Sequence, residues 1–179
     1  MSSGRVHTSV WLAPAEPDRS ELRLHIDQLA IEHGTPSFEP HITLTSGQVN
    51  PDVVVAAIER ATTALAPLDV AAGPTAHGPD RFKAVFVEFD DPRLERLAAE
   101  LSTTLGIPAP APLRPHLSLM YAADLLPEIR ARIATAHAFS GRRLRFDSLV
   151  ASVPGAGIED VARWQSTVIR PLTGTRQLR

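Results

Sequence analysis

The sequence has no cysteine among its 179 residues. Disulfides, thiolate nucleophiles and cysteine-bound zinc or iron-sulfur centres are therefore excluded, and catalysis must come from histidine, carboxylate, hydroxyl or a cofactor. An excess of one charge is missing too: 18 Lys and Arg against 20 Asp and Glu leave a net charge of −2. That balance lacks the basic footprint of a protein that grips long nucleic acid through many phosphates. A small phosphorylated ligand remains the expected partner. No stretch approaches the roughly 20 consecutive apolar residues of a membrane span, and Met1-Ser2-Ser3-Gly4-Arg5 leads into a strand-like segment instead of a signal sequence. These absences predict a cytoplasmic monomer that binds neither membrane nor long nucleic acid.

What is present is periodic. Apolar residues at 44% and charged residues at 21% suit a folded globular chain, with length for one generous core or two small lobes. Val6, Thr8, Val10 and Leu12 alternate with His7, Ser9, Trp11 and Ala13, the pattern of a half-buried strand. Asp18 and Glu21 have capping-box spacing, and Leu22, Ile26, Leu29 and Ala30 follow at helical intervals until Gly34. Residues 41–45 predict a strand, and Asn50-Pro51 the capped start of a helix. Residues 68–72 predict a strand, 73–80 a loop and 82–89 another strand. Asp91-Pro92 repeats the cap-and-proline start of a helix that stops at Gly106. Pro108, Pro110, Pro112 and Pro115 stiffen the approach to the next strand. Asp124 is expected to cap a helix over 125–138, and strands over 143–153 and 162–169 close the chain as a hairpin around a Gly-rich turn.

Two segments share one grammar: Pro40-His41-Ile42-Thr43-Leu44 and Pro115-His116-Leu117-Ser118-Leu119, 75 residues apart. The same shift superposes Pro17 on Pro92 and Trp11 on Phe86. Each half reads strand, helix, histidine strand, helix, strand. The expectation is a single α+β domain over 1–179, built from duplicated units at about 6–77 and 82–153 with a last strand over 162–170. Its two lobes, mainly antiparallel sheet with helices on the outer faces, would be related by a pseudo-two-fold axis and share a central cleft.

Alternation along a strand sends His41 and Thr43 to one face while Ile42 and Leu44 pack on the other. The same holds for His116 and Ser118 against Leu117 and Leu119, so two imidazoles and two hydroxyls would meet in the cleft. That set can hydrolyse a phosphodiester: one imidazole takes a proton from water, the other protonates the leaving oxygen, and hydroxyls donate to the non-bridging oxygens. Trp11 and Phe86 would flank a base or ribose from either lobe.

Together with Ser9-Val10-Trp11-Leu12-Ala13-Pro14, the paired His-x-Thr and His-x-Ser segments resemble the two-histidine (2H) phosphoesterase superfamily. Within it they look like the cyclic phosphodiesterases that open ADP-ribose 1″,2″-cyclic phosphate and nucleoside 2′,3′-cyclic phosphates. The resemblance implies a bilobal α+β fold and hydrolysis without metal or cofactor. It implies a catalytic tetrad of His41, Thr43, His116 and Ser118, and a 2′-phosphate as product from nucleoside 2′,3′-cyclic phosphates. Tyr121 is matched by a tyrosine in the resembling enzymes and is a third pocket residue beside Trp11 and Phe86, although strand parity places it behind the sheet unless the strand ends or twists there. Which histidine is the base stays open.

Three rivals stand beside this reading. A two-histidine metal site is opposed by Thr43 and Ser118, which stand where ligands would recur. An RNA-end or RNA-ligase-like enzyme of the same fold is opposed by the absence of a basic stripe, and a silent nucleotide-binding module by the complete tetrad. His7 can reach the cleft from the face of Trp11 but reads as a strand-end surface residue, as His25, His33, His77 and His137 read as surface; Arg81 and Lys83 read as surface cations that can attract an anion, and Arg142, Arg143 and Arg145 as a solvated strand edge. Trp164 reads as packed in the core or against the loop before it.

Overall fold

A computed structural model describes residues 4–108, 114–155 and 157–178. Its elements run β1 (Val6–Pro14), α1 (Asp18–His33), β2 (Ile42–Val49), α2 (Pro51–Ala64), β3 (Leu68–Ala71), β4 (Thr75–His77), β5 (Val85–Glu88), α3 (Pro92–Leu105), β6 (His116–Met120), α4 (Pro127–Ala136), β7 (Arg143–Val153), a 3₁₀ helix (Ile158–Arg163) and β8 (Gln165–Pro171). The expected α+β class is what forms. The strands make one sheet in the order β3-β7-β1-β2-β6-β5-β4, with β8 on β7. All named strand pairs are antiparallel.

The sheet is joined at its middle through Ile42 opposite Leu117, where β2 meets β6. These two residues are also 75 apart. On either side of the junction β1 lies beside β2 as β5 lies beside β6. The outer elements cross over: β4, from the first half of the chain, pairs with β5, and β7, from the second half, pairs with β1. The helices cross as well, α1 packing on β6 and α3 on β2. Val10, Leu12, Ile42 and Leu44 therefore share one buried core with Val85, Val87, Leu117 and Leu119. That continuity fixes the angle between the two histidine strands.

Local chemistry explains the helix ends. The Asn50 side chain accepts from Asp52 N–H at 2.8 Å and the Asp91 side chain from Arg93 N–H at 3.0 Å, each with proline at the first helical position. Gly34 and Gly106 close α1 and α3 in the left-handed conformation, both at φ 64°. Asp18 does not cap α1, whose N-cap is Pro17. Its carboxylate instead accepts from Arg145 N–H at 2.9 Å and from Arg142 at 3.0 Å, and Arg142 also pairs with Glu21. Arg142, the residue before β7, thus ties the start of that strand to α1, and is not a solvated edge residue.

Further boundaries move, among them the end of β2, which runs on to Val49 instead of stopping at residue 45. The 73–80 loop contains β4, which at three residues is too short to show alternation. Strand β5 begins only at Val85, because the Asp80 carboxylate takes Phe82 N–H at 2.8 Å and holds the preceding residues in a turn. Helix α4 starts at Pro127 with Leu126 as N-cap, so Asp124 caps nothing. The 3₁₀ helix absorbs residues 162 and 163, and the final strand begins at Gln165. Pro110 and Pro112 lie outside the described residues. Among the described residues no helix is long and apolar enough to cross a membrane.

Candidate active site

The cleft is shaped by the same irregularity placed twice. Val10 pairs with Thr45 but Trp11 with Thr43, which leaves Leu44 as an extra residue in β2. Val85 pairs with Met120 but Phe86 with Ser118, which leaves Leu119 extra in β6. An extra residue in one strand interrupts the alternation of faces. Leu44 and Thr45 are both buried, with Thr45 Oγ1 accepting from Ser102 Oγ of α3 at 2.8 Å, so Ser46 returns to the cleft beside Thr43. Leu119 and Met120 are likewise both buried, and Tyr121 reaches the cleft. Strand parity had put Tyr121 behind the sheet; the bulge reverses that.

The resulting cavity has a volume of about 260 Å³. Its reactive wall carries His41, Thr43, His116 and Ser118; its aromatic walls are Trp11, Phe82, Tyr121 and Trp164. His7, Ser9 and Ser46 line a polar end, and Pro154 and Gly155 of the β7–β8 connection complete it.

Each histidine is anchored in the same way. His41 Nδ1 lies 2.7 Å from Glu39 O, and His116 Nδ1 lies 3.0 Å from Arg114 O. A carbonyl can only accept, so Nδ1 carries the proton in both rings and Nε2 keeps its lone pair. Burial pushes the pKa of His41 down to about 4, with the Glu39 carbonyl opposing and the charge of His116 adding to the fall. Burial also lowers His116, opposed by the Arg114 carbonyl and assisted by Lys83. Arg19 and Arg23 of α1 both hold the Glu39 carboxylate, fastening the segment that anchors His41.

The aromatic partners are not equivalent. Trp11 stacks on His41 with ring centres 3.9 Å apart and planes within 15°. Phe86 meets His116 edge-on at 5.5 Å and carries Lys83 Nζ over its ring at 4.6 Å. It does not face the cleft opposite Trp11. It lines a neighbouring cavity of about 220 Å³ together with Lys83, Glu88 and Arg114, and His116 stands between the two cavities. Equal backbone positions therefore give unequal faces, one ring lining the cleft and the other folded behind its histidine.

The hydroxyls differ as well. Ser118 Oγ donates to Phe82 O at 2.8 Å, so its proton is engaged, while Thr43 is half-buried on the cavity wall. The Tyr121 phenol neighbours Ser118 and is pushed up in pKa by burial, which keeps it a neutral hydroxyl. Its ring stacks on Phe38 at 3.8 Å.

Sequence reasoning missed Phe82, Trp164 and Ser46 as cavity residues and read His7 as surface. Trp164 lies 6.0 Å from each of Trp11, Phe82 and Tyr121, and its indole Nε1 is buried without a described partner. No local pattern signals this, since Trp164 arrives only when β8 folds back on β7. His7 and Ser9 did carry a signal, because they share the face of Trp11. Among the described residues no three His, Asp or Glu side chains converge as a metal site.

The family model of the 2′-5′ RNA ligase superfamily matches residues 9–153. Solved structures of similar fold include apo LigT of E. coli (16% identity, TM-score 0.64, covering 96% of this chain and 99% of that one). LigT complexed with ATP is similar at 15% identity and TM-score 0.61, over 96% and 99% of the two chains. TT0787 of Thermus thermophilus follows at 15% identity and TM-score 0.67, over 96% and 100%. No curated protein matches the sequence significantly. With four-fifths of its length under the family model and the anchored histidine pair in one cleft, the chain belongs to the 2′-5′ RNA ligase superfamily of two-histidine phosphoesterases.

Proposed function

We propose that the protein hydrolyses a small cyclic phosphodiester, either ADP-ribose 1″,2″-cyclic phosphate or a nucleoside 2′,3′-cyclic phosphate, the latter to the 2′-phosphate. The observation that carries this reading is the pair of imidazoles anchored through Nδ1 in one cavity, each with Nε2 available. His41, the more strongly depressed in pKa, is neutral above about pH 4 and acts as the base that takes a proton from water. The water oxygen bonds to phosphorus, the bond from phosphorus to one ribose oxygen breaks, and His116, in its doubly protonated form, gives its Nε2 proton to that oxygen. Thr43 donates to a non-bridging oxygen as charge accumulates there. Ser118, bonded to Phe82 O, ties β6 to the turn before β5 and donates to phosphate only after its hydroxyl turns. The two proton transfers are covered by side chains, so no metal is assigned a step.

The aromatic walls support a nucleotide as the ligand, because stacking accepts any base. The similar protein LigT has been crystallised with ATP and with 3′-AMP. A screen of ADP-ribose 1″,2″-cyclic phosphate against the four nucleoside 2′,3′-cyclic phosphates, in EDTA, tests the reading. Turnover of at least one with the metal chelated is expected; turnover of none, or only after metal is restored, rejects it.

A second reading rests on the cavity beyond His116. Lys83, Arg114 and the Phe86 ring there can hold a second nucleoside, which would make a linear 2′-5′ diester of RNA the substrate. Binding of an RNA oligonucleotide that weakens steeply with salt, set against a mononucleotide, would favour it.

A further inference from the structure

The polar end of the cavity is a built chain of hydrogen bonds that the proposed chemistry leaves unused. Ser46 Oγ lies 3.0 Å from His7 Nε2 and 2.8 Å from Ser9 Oγ. Ser9 and Ser46 are direct partners across β1 and β2, and the bulge at Leu44 is what brings Ser46 to the cleft. Ser9 is buried, at 6% exposure, yet its side chain lines the cavity, as do those of His7 and Ser46.

We infer that His7, Ser46 and Ser9 form a subsite for a sugar hydroxyl, reading the end of the nucleotide that bears O5′. The inference rests on the function proposed above and specifies its substrate. A nucleoside cyclic phosphate has three parts: the phosphate, the base and the C5′ end. The cavity has three matching walls. The phosphate belongs to His41, His116 and Thr43, and the base to the aromatic rings of Tyr121, Phe82 and Trp164. The third part then falls at Ser9. Strand geometry fits the span, since Ser9 stands two residues along β1 from Trp11 and a strand advances about 3.3 Å per residue. That places Ser9 roughly 7 Å from the row holding Trp11 and Thr43, about the length of a ribose.

The character of the subsite selects a hydroxyl over a second phosphate. Its members are two hydroxyls and an imidazole, each able both to donate and to accept, and among the described residues no Lys or Arg lines this cavity. When His7 carries its proton on Nε2, it donates to Ser46, Ser46 donates to Ser9, and the Ser9 proton is free for a ligand oxygen. With the proton on His7 Nδ1 the chain runs the other way, and Ser9 Oγ offers a lone pair to a ligand O–H. A hydroxyl satisfies either arrangement; a phosphate satisfies only the first.

The test compares adenosine 2′,3′-cyclic phosphate with its 5′-deoxy analogue, using wild type, Ser9→Ala and Ser46→Ala. Loss of the ligand hydroxyl should raise KM about fivefold in the wild type, the effect of one neutral hydrogen bond. In Ser9→Ala the two ligands should become equivalent, and in Ser46→Ala, which keeps the Ser9 hydroxyl but removes its partner, the difference should shrink. Equal KM values in the wild type, or full discrimination retained in Ser9→Ala, would overturn the subsite. The corresponding 2′-phosphates, titrated by quenching of tryptophan fluorescence, report the same discrimination without turnover. Selective binding there with no hydrolysis would reject the catalytic reading alone, and hydrolysis without discrimination would reject the subsite alone.

Discussion

Ile42 sits opposite Leu117 at the one register pair that joins β2 to β6, both side chains fully buried and each next to a catalytic candidate. The approach of the two histidines is therefore set by a hydrophobic contact behind the sheet. Replacing Leu117 by Ala should destabilise the protein by about 2–5 kcal/mol, as for other fully buried leucines. It should also lower turnover among the molecules that remain folded. Urea unfolding together with kinetics at low temperature checks both, and a destabilised variant with unchanged kcat would separate this junction from catalysis.

The pH profile of kcat/KM follows from the free enzyme. The base, His41, must be neutral, and burial has lowered its pKa to about 4; the acid, His116, must be protonated, and burial has lowered it below its ordinary 6.5. Activity should rise through about pH 4 and fall again before pH 6.5, giving an acidic bell. An optimum above pH 7 would contradict the assignment.

Burial of His41 also ties stability to pH. Above pH 6.5 neither folded nor unfolded chain protonates this ring. Between pH 6.5 and about 4 the unfolded chain binds the proton and the folded one does not, so stability falls as pH falls. The loss is about 3 kcal/mol at 1.36 kcal/mol per unit. His41→Asn keeps a donor for Glu39 O and removes the titration, so its unfolding free energy should decline less over that range by this amount. Parallel curves for the two proteins would count against it.

Trp11 should act by holding the His41 ring. Trp11→Phe keeps an aromatic face and should retain most activity, whereas Trp11→Ala should lose about tenfold and expose the imidazole. The distinguishing readout is the acidic limb of the pH profile, which should move up from about 4 toward 6.5 in Trp11→Ala only. A variant that loses activity with the limb unmoved would limit Trp11 to substrate contact.

Much of the site was legible because it is duplicated. The spacing from His41 to His116, and the alternation around each, place all four members of the predicted tetrad on one cavity. Alternation failed where an extra residue interrupted it: neither Leu44 nor Leu119 announces a bulge, and the fates of Ser46 and Tyr121 depend on those two positions. Equivalence by sequence also misled at Phe86, since backbone register does not determine how a ring turns relative to its histidine. The crossing of β4 and β7 between halves, and the return of Trp164 on β8, are long-range pairings that no window of residues contains.

The most direct measurement is a phosphorus NMR time course on adenosine 2′,3′-cyclic phosphate in EDTA, with wild type, His41→Ala and His116→Ala run side by side. The account predicts conversion to the 2′-phosphate alone by the wild type, and at least about 100-fold slower conversion by either variant at unchanged folded content. Full activity in either histidine variant, or a mixture of 2′- and 3′-phosphates from the wild type, would contradict it.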